Sequence, residues 1–174
     1  MKKVFTLLFL VSFGFINAQK AFNGKGDVKV NVGANLQDGG SGIQGSVDFG
    51  LGENFSVGFV TTYLLGVDNY TGLYGTSLTP YNDKPDFIDR FDAKARINAN
   101  LSSVIGVEQL DVYPGLSLGL HNFGGHVGGR YFFTDGFGVF TEVGFPIAKY
   151  GSNNDPFYHL NNQVTFSLGA SFNL

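Results

Sequence analysis

In residues 89–101, DRFDAKARINANL, two kinds of side chain take turns along the chain. Phe91, Ala93, Ala95, Ile97, Ala99 and Leu101 share one parity, and Asp92, Lys94, Arg96, Asn98 and Asn100 share the other. A period of two held over this length requires a β-strand with one apolar and one polar face. After the first twenty residues, no segment carries the 3.6-residue period of an amphipathic helix, so the chain reads as all-β.

The same alternation marks eight strands. The first spans 28–37, with Val28, Val30, Val32, Ala34 and Leu36 on its apolar face. After the turn DGGS the second carries Ile43, Val47, Phe49 and Leu51, and after GEN the third carries Phe55, Val57, Phe59 and Leu65. A long polar connection over 66–88 leads to the strand of 89–101, and SSVIGVEQ leads to a fifth from Leu110 to Leu120. NFGG is expected to turn into the sixth, with Val127, Tyr131 and Phe133, and TDG into the seventh, with Val139, Val143 and Phe145. A loop over 147–162 precedes the last strand, where Val164, Phe166, Leu168, Ala170, Phe172 and Leu174 alternate with small polar residues. An even number of strands, joined as hairpins, predicts one eight-stranded antiparallel up-and-down β-barrel over 19–174.

Residues 1–18 have the layout of a secretory signal peptide: Lys2 and Lys3, an apolar run from Val4 to Ile16, then Ala18. The chain contains no Cys, so an exported fold must hold together without disulfides. Charged residues make up 14% of the chain, against about 25% in ordinary soluble domains, and Phe reaches 19 residues. A net charge of −3 with no basic stripe argues against nucleic acid as a partner.

The polar parity carries Lys29, Lys94, Arg96 and Arg130 against Asp48, Asp92, Asp111 and Glu142, with Gly, Ser, Asn and Thr filling most of the rest. Balanced charge among small residues suits a narrow lumen, where side chains fill the interior and charges need partners. The alternative is a soluble barrel or sandwich with a Phe-rich core. Three features favour the inside-out arrangement: the leader, the scarcity of charge, and long connections at one end with tight turns at the other. Aromatic residues gather toward both rims, Tyr131, Phe133 and Phe137 near one and Tyr63, Phe91 and Phe145 near the other.

With GGRYFFTDGFGVFTEVGFP read as two neighbouring strands and SLGASFNL as the last, the chain resembles small outer-membrane β-barrel proteins of the OmpA/OmpX-like class. The resemblance covers the mature chain and implies a transmembrane barrel in the cell outer membrane, in contact with its lipids. It also implies delivery by the outer-membrane assembly machinery, with Ser167, Gly169, Phe172 and Leu174 as the C-terminal assembly signal. Leu174 stands where an aromatic is commonest.

Candidate chemistry is sparse. His121 and His126 are expected to bracket the NFGG turn and face one another, but the spacing supplies no third metal ligand. Arg130 and Glu142 are expected to form a lumen ion pair. The loop residues Asp68, Asn69, Asp83, Asp86 and Asp89 lack an EF-hand pattern, and GGHVGGR lacks the strand-to-helix context of a phosphate loop. No catalytic residue, metal or cofactor is assigned. The expectation is a monomeric, non-enzymatic barrel acting through its outer loops on an unidentified surface ligand. The alternatives are an envelope lipid hydrolase or acyltransferase and a small-molecule pore.

Overall fold

The computed structural model describes residues 20–67, 70–73, 80–151 and 155–174. The leader therefore lies outside the described residues. Eight strands close into a barrel: β1 (Val28–Gln37), β2 (Gly40–Gly50), β3 (Phe55–Val67), β6 (Phe91–Ala99), β7 (Leu110–Gly119), β8 (Asn122–Phe132), β9 (Phe137–Lys149) and β10 (Thr165–Asn173). Every neighbouring pair is antiparallel, and β10 pairs with β1 to shut the seam. A separate two-stranded sheet, β4 (Tyr70–Leu73) with β5 (Pro80–Asp83), stands in the long connection that the residue pattern left without structure.

The near end is where the chain enters β1 and leaves β10. It also carries the turns at 51–54 and 133–136 and the segment 100–109, which holds a single helical turn, Ser102–Ile105. The far end carries the longer connections before β6 and β10. There Phe87–Arg90 form another helical turn, so Asp89 and Arg90 precede the strand instead of opening it. Asp86 and Asp89 cap that turn reciprocally, which accounts for two of the acidic loop residues without a bound ion.

The connection between β7 and β8 is only Leu120–His121, and NFGG lies inside β8. Its glycines do not turn the chain. The register slips between Phe123 and Gly124, and the Phe145 ring lies over Gly125, a bulge followed by an aromatic covering a bare glycine. Local composition mistook close packing for a turn.

Side-chain direction follows parity around the whole barrel. Val32, Ile43, Phe59, Ile97, Leu118, Val127, Val143 and Leu168, one from each barrel strand, are all exposed on the outer wall. Inward positions are polar and buried: Asn31, Asn35, Gln44, Ser46, Asn98, Ser117, Ser167 and Ser171 accompany the charges. Aromatic rings chain along the near rim, from Tyr131 through Phe133 and Phe137 to Phe172, with centroids 5.4, 6.4 and 5.8 Å apart. At the far rim Phe87 sits between Tyr63 and Phe91, at 5.6 and 5.4 Å.

Both ends are plugged. At the near end Ala21 and Phe22 are buried, the Ala21 N–H donates to Glu108 O at 2.5 Å, and residues 26–27 exchange backbone bonds with Gly50. Across the far mouth runs the segment 155–163, whose Phe157 and Leu160 pack on Leu64 and Val67. Asn161 anchors it in the left-handed region (φ 58°), a conformation Asn tolerates better than most residues. Phe157 is thus buried in the mouth, whereas Tyr150, in the same connection, is exposed.

At the seam Gly33 faces Gly169, and a Cβ on either would overlap the opposite backbone. Gly33→Ala is expected to destabilise the barrel by about 1–3 kcal/mol, the usual cost of overpacking, measured by denaturant unfolding in detergent.

Candidate functional site: the lumen network

Asp48, on β2, is the hub of the interior. It accepts from Arg96 Nε and Nη2, each at 2.6 Å, from Arg130 Nη2 at 2.7 Å and from Asn98 Nδ2 at 3.1 Å. Arg96 therefore grips Asp48 with both prongs of its guanidinium, the geometry Arg provides and Lys does not. Its remaining donors reach Glu142 Oε2 at 2.8 Å and Ser46 Oγ at 3.0 Å. Three strands, β2, β6 and β9, are tied together through the Arg96 side chain.

Arg130 and Glu142, the expected ion pair, do not meet. Arg130 stands opposite Phe140 on β9, while Glu142 stands opposite Gly128. Arg130 reaches across the lumen to Asp48, and Glu142 reaches Arg96. Between the guanidinium groups lies the buried Tyr113, its ring centroid 3.9 Å from Arg130 Cζ and 5.7 Å from Arg96 Cζ. That stacking is a cation–π contact in a water-poor space. A Cβ on Gly128, directly across the ladder, would overlap the Tyr113 ring. Part of GGHVGGR is glycine for that reason.

The other charges hold the two ends. Lys29 donates to Asp27 at 2.5 Å and to Asn173 at 2.7 Å, with the Phe132 ring 5.2 Å away. Lys94 and Asp92 pair at 3.2 Å beneath the far mouth. Asp111 accepts from Asn100 at 2.7 Å. All eight charges expected in the lumen are there, but Asp27 adds a fifth carboxylate to the four cations. It precedes β1, where parity says nothing about direction, so the apparent balance was short by one. Tyr113 was missed as well; it shares the inward parity of Asp111, which could have flagged it.

The histidines do not pair. His126 is buried and lies 2.7 Å from Asn98 Oδ1, whereas His121 sits in the β7–β8 connection, 3.0 Å from Phe91 O. His159, in the far-end plug, lies 3.2 Å from Pro156 O. Among the described residues no group of three or more His, Asp or Glu is placed to hold a metal ion. Asp68 and Asn69 lie outside the described residues, as does the side chain of Asp83.

In the C-terminal stretch, Ser167 points inward and donates to Gln44 Oε1 at 2.7 Å. Gly169 abuts Gly33, while Phe172 and Leu174 are exposed outside. Two of these four residues thus serve the lumen and the seam, whatever they contribute to recognition.

The sequence matches a family of unknown function, DUF6646, over residues 11–174. The chain belongs to that family. No curated protein matches it.

Arg96→Ala would leave Glu142 buried without its ion-pair partner and Asp48 with only Arg130 and Asn98. It is expected to cost about 3–5 kcal/mol, the range for breaking a buried pair by removing one partner. Urea titration in detergent checks this. Asp48→Ala together with Arg96→Ala should cost clearly less than the two single losses added together.

Proposed function

We propose that the chain is an integral outer-membrane protein of the OmpA/OmpX-like kind, with a filled lumen and a structural or surface-binding role carried by its far-end loops. One observation carries this reading: the apolar side chains face outward on all eight barrel strands, and the charges face inward. In water such a surface would be an aggregation hazard, since soluble monomers rarely expose contiguous apolar patches above a few hundred Å². In a bilayer it is the required arrangement, because a closed barrel satisfies every backbone group internally. No helix among the described residues is long and apolar enough to cross a membrane. The barrel strands, of 9 to 13 residues, have the length for it.

Other features agree. The aromatic chains at both rims stand where interfacial girdles belong. The leader would bring the chain to the envelope, and lipids and the assembly machinery would be its partners there. Because the lumen is filled by side chains, the reading excludes a general porin. The non-enzymatic part of this reading is supported by the histidines, whose hydrogen bonds run to Phe91 O, Asn98 and Pro156 O.

Cell fractionation tests the address. The mature protein is expected in the outer membrane, resistant to high-salt and alkaline extraction, and recovery from the soluble periplasm would overturn the reading. Ala95, exposed between Phe59 and Leu118, provides an independent check. Ala95→Arg should cost about 2–4 kcal/mol of stability in a bilayer and far less for a barrel surrounded by water. Turnover of labelled phospholipid or lipopolysaccharide by the purified protein would overturn the non-enzymatic role.

A further inference from the structure

Between the Arg96 layer and the 155–163 plug lies a cavity of about 30 Å³, lined by Asn35, Gln44, Asp92, Lys94, Ser117 and His126 among others. That is room for about two waters. Two of its lining atoms, Asn35 Oδ1 and Asp92 Oδ2, are buried without a hydrogen bond. Asp92 Oδ2 lies in ion-pair range of Lys94, but no donor is aligned on it. Just above, where Asn122 holds the plug, its Oδ1 is unpartnered too. All three are acceptors without a protein donor, so whatever fills this space, water or solute, must donate to them. The charged residues that line the cavity are Asp92 and Glu142 against Lys94 and Arg96.

The plug is held by side-chain hydrogen bonds, among them Gln163 Nε2 to Asp38 O at 2.7 Å and Gln37 Nε2 to Asn161 Oδ1 at 3.5 Å, and not by strand pairing. Asn122 Nδ2 donates to Asn161 O at 2.7 Å and to Asn162 Oδ1 at 3.1 Å. The Asn161 N–H donates to Gln37 Oε1 at 3.0 Å, and Asn161 Nδ2 donates to Asp89 O at 3.1 Å. Phe157 and Leu160 supply its apolar contacts. None of these bonds belongs to the barrel ladder, so the plug can lift while the eight strands stay paired.

We propose that the far half of the lumen is a capped binding vestibule for a small hydrogen-bond-donating solute, specifically a primary amine, reached when the 155–163 plug lifts. The amine would donate to Asn35 Oδ1 and Asp92 Oδ2 in the space left beside Gln44 and Ser117. The Arg96–Asp48–Glu142 layer is its floor, so binding does not require passage through the barrel. The proposal rests on the lumen and the plug, and a soluble location for the protein would leave it standing.

The absence of Cys allows a single reporter thiol. Ser117→Cys places one in the vestibule, and Ser171→Cys places one among the buried residues on the near side of the floor. Each is treated, in folded protein in detergent, with 2-aminoethyl or 2-sulfonatoethyl methanethiosulfonate, which form the mixed disulfide and release methanesulfinate. With the Ser117→Cys reporter, adding Phe157→Ser and Leu160→Ser should speed labelling at least about tenfold by raising the open population, while Ser171→Cys stays protected. After correction for free-thiol reactivity, the amine reagent should outrun the sulfonate by about tenfold or more, the factor equivalent to 1.4 kcal/mol. If the double substitution prevents folding, Asn122→Ala loosens the same plug from the wall side. Labelling of Ser117→Cys that ignores the plug, or equal labelling of Ser171→Cys, would overturn the vestibule. An amine reagent no faster than the sulfonate would overturn the ligand class.

Discussion

Asp48 and Arg96, on the two strands that flank β3, form a bidentate pair inside the lumen, and the interior is organised around that contact. A carboxylate and a guanidinium removed from water lose several kcal/mol of hydration each, and only good geometry with every remaining donor and acceptor engaged restores it. The demand propagates outward. Arg96 needs Glu142 and Ser46, Asp48 needs Arg130 and Asn98, and Asn98 in turn takes His126. Each of these side chains fixes the register of the strand that carries it, since a slip of one residue would turn it to the outer wall.

Glycine is the complement of that network. A narrow barrel cannot hold a Tyr, two Arg and a His in one region unless the strands opposite are bare. Gly128 clears space for the Tyr113 ring, Gly115 for His126 and Gly58 for Asp48. The abundance of glycine is therefore not looseness. It is shape complementarity at the level of the backbone, and it lets cation–π stacking take the place that aliphatic packing holds in a soluble core.

The strands were legible because period two is a local property, and Val28–Gln37 could be bounded to the residue. The inward direction of Lys29, Asp48, Arg96 and Arg130 was legible for the same reason. Their partners were not. Arg130 finds Asp48, 82 positions away, because strand tilt and stagger bring β2 and β8 level across the lumen, a relation that no window of sequence contains. Asp27 escaped because it lies outside the alternating segment, and NFGG misled because a glycine pair serves a bulge as readily as a turn. The plugs were illegible for a further reason: Phe157 and Leu160 sit in a polar loop, and nothing periodic marks them as buried.

The seam has a kinetic consequence. Gly33 meets Gly169 across the whole length of the chain, while every other adjacent pair in the barrel joins strands that follow one another around it. Loop-closure entropy makes the most distant contact the last to be repaid. A sheet of these eight strands without that pairing would present β1 and β10 as two rows of unsatisfied amides, of the kind that recruit other chains. The pairing leaves the barrel without an edge, and the two glycines let it form by direct backbone contact, with no side chain to be moved aside.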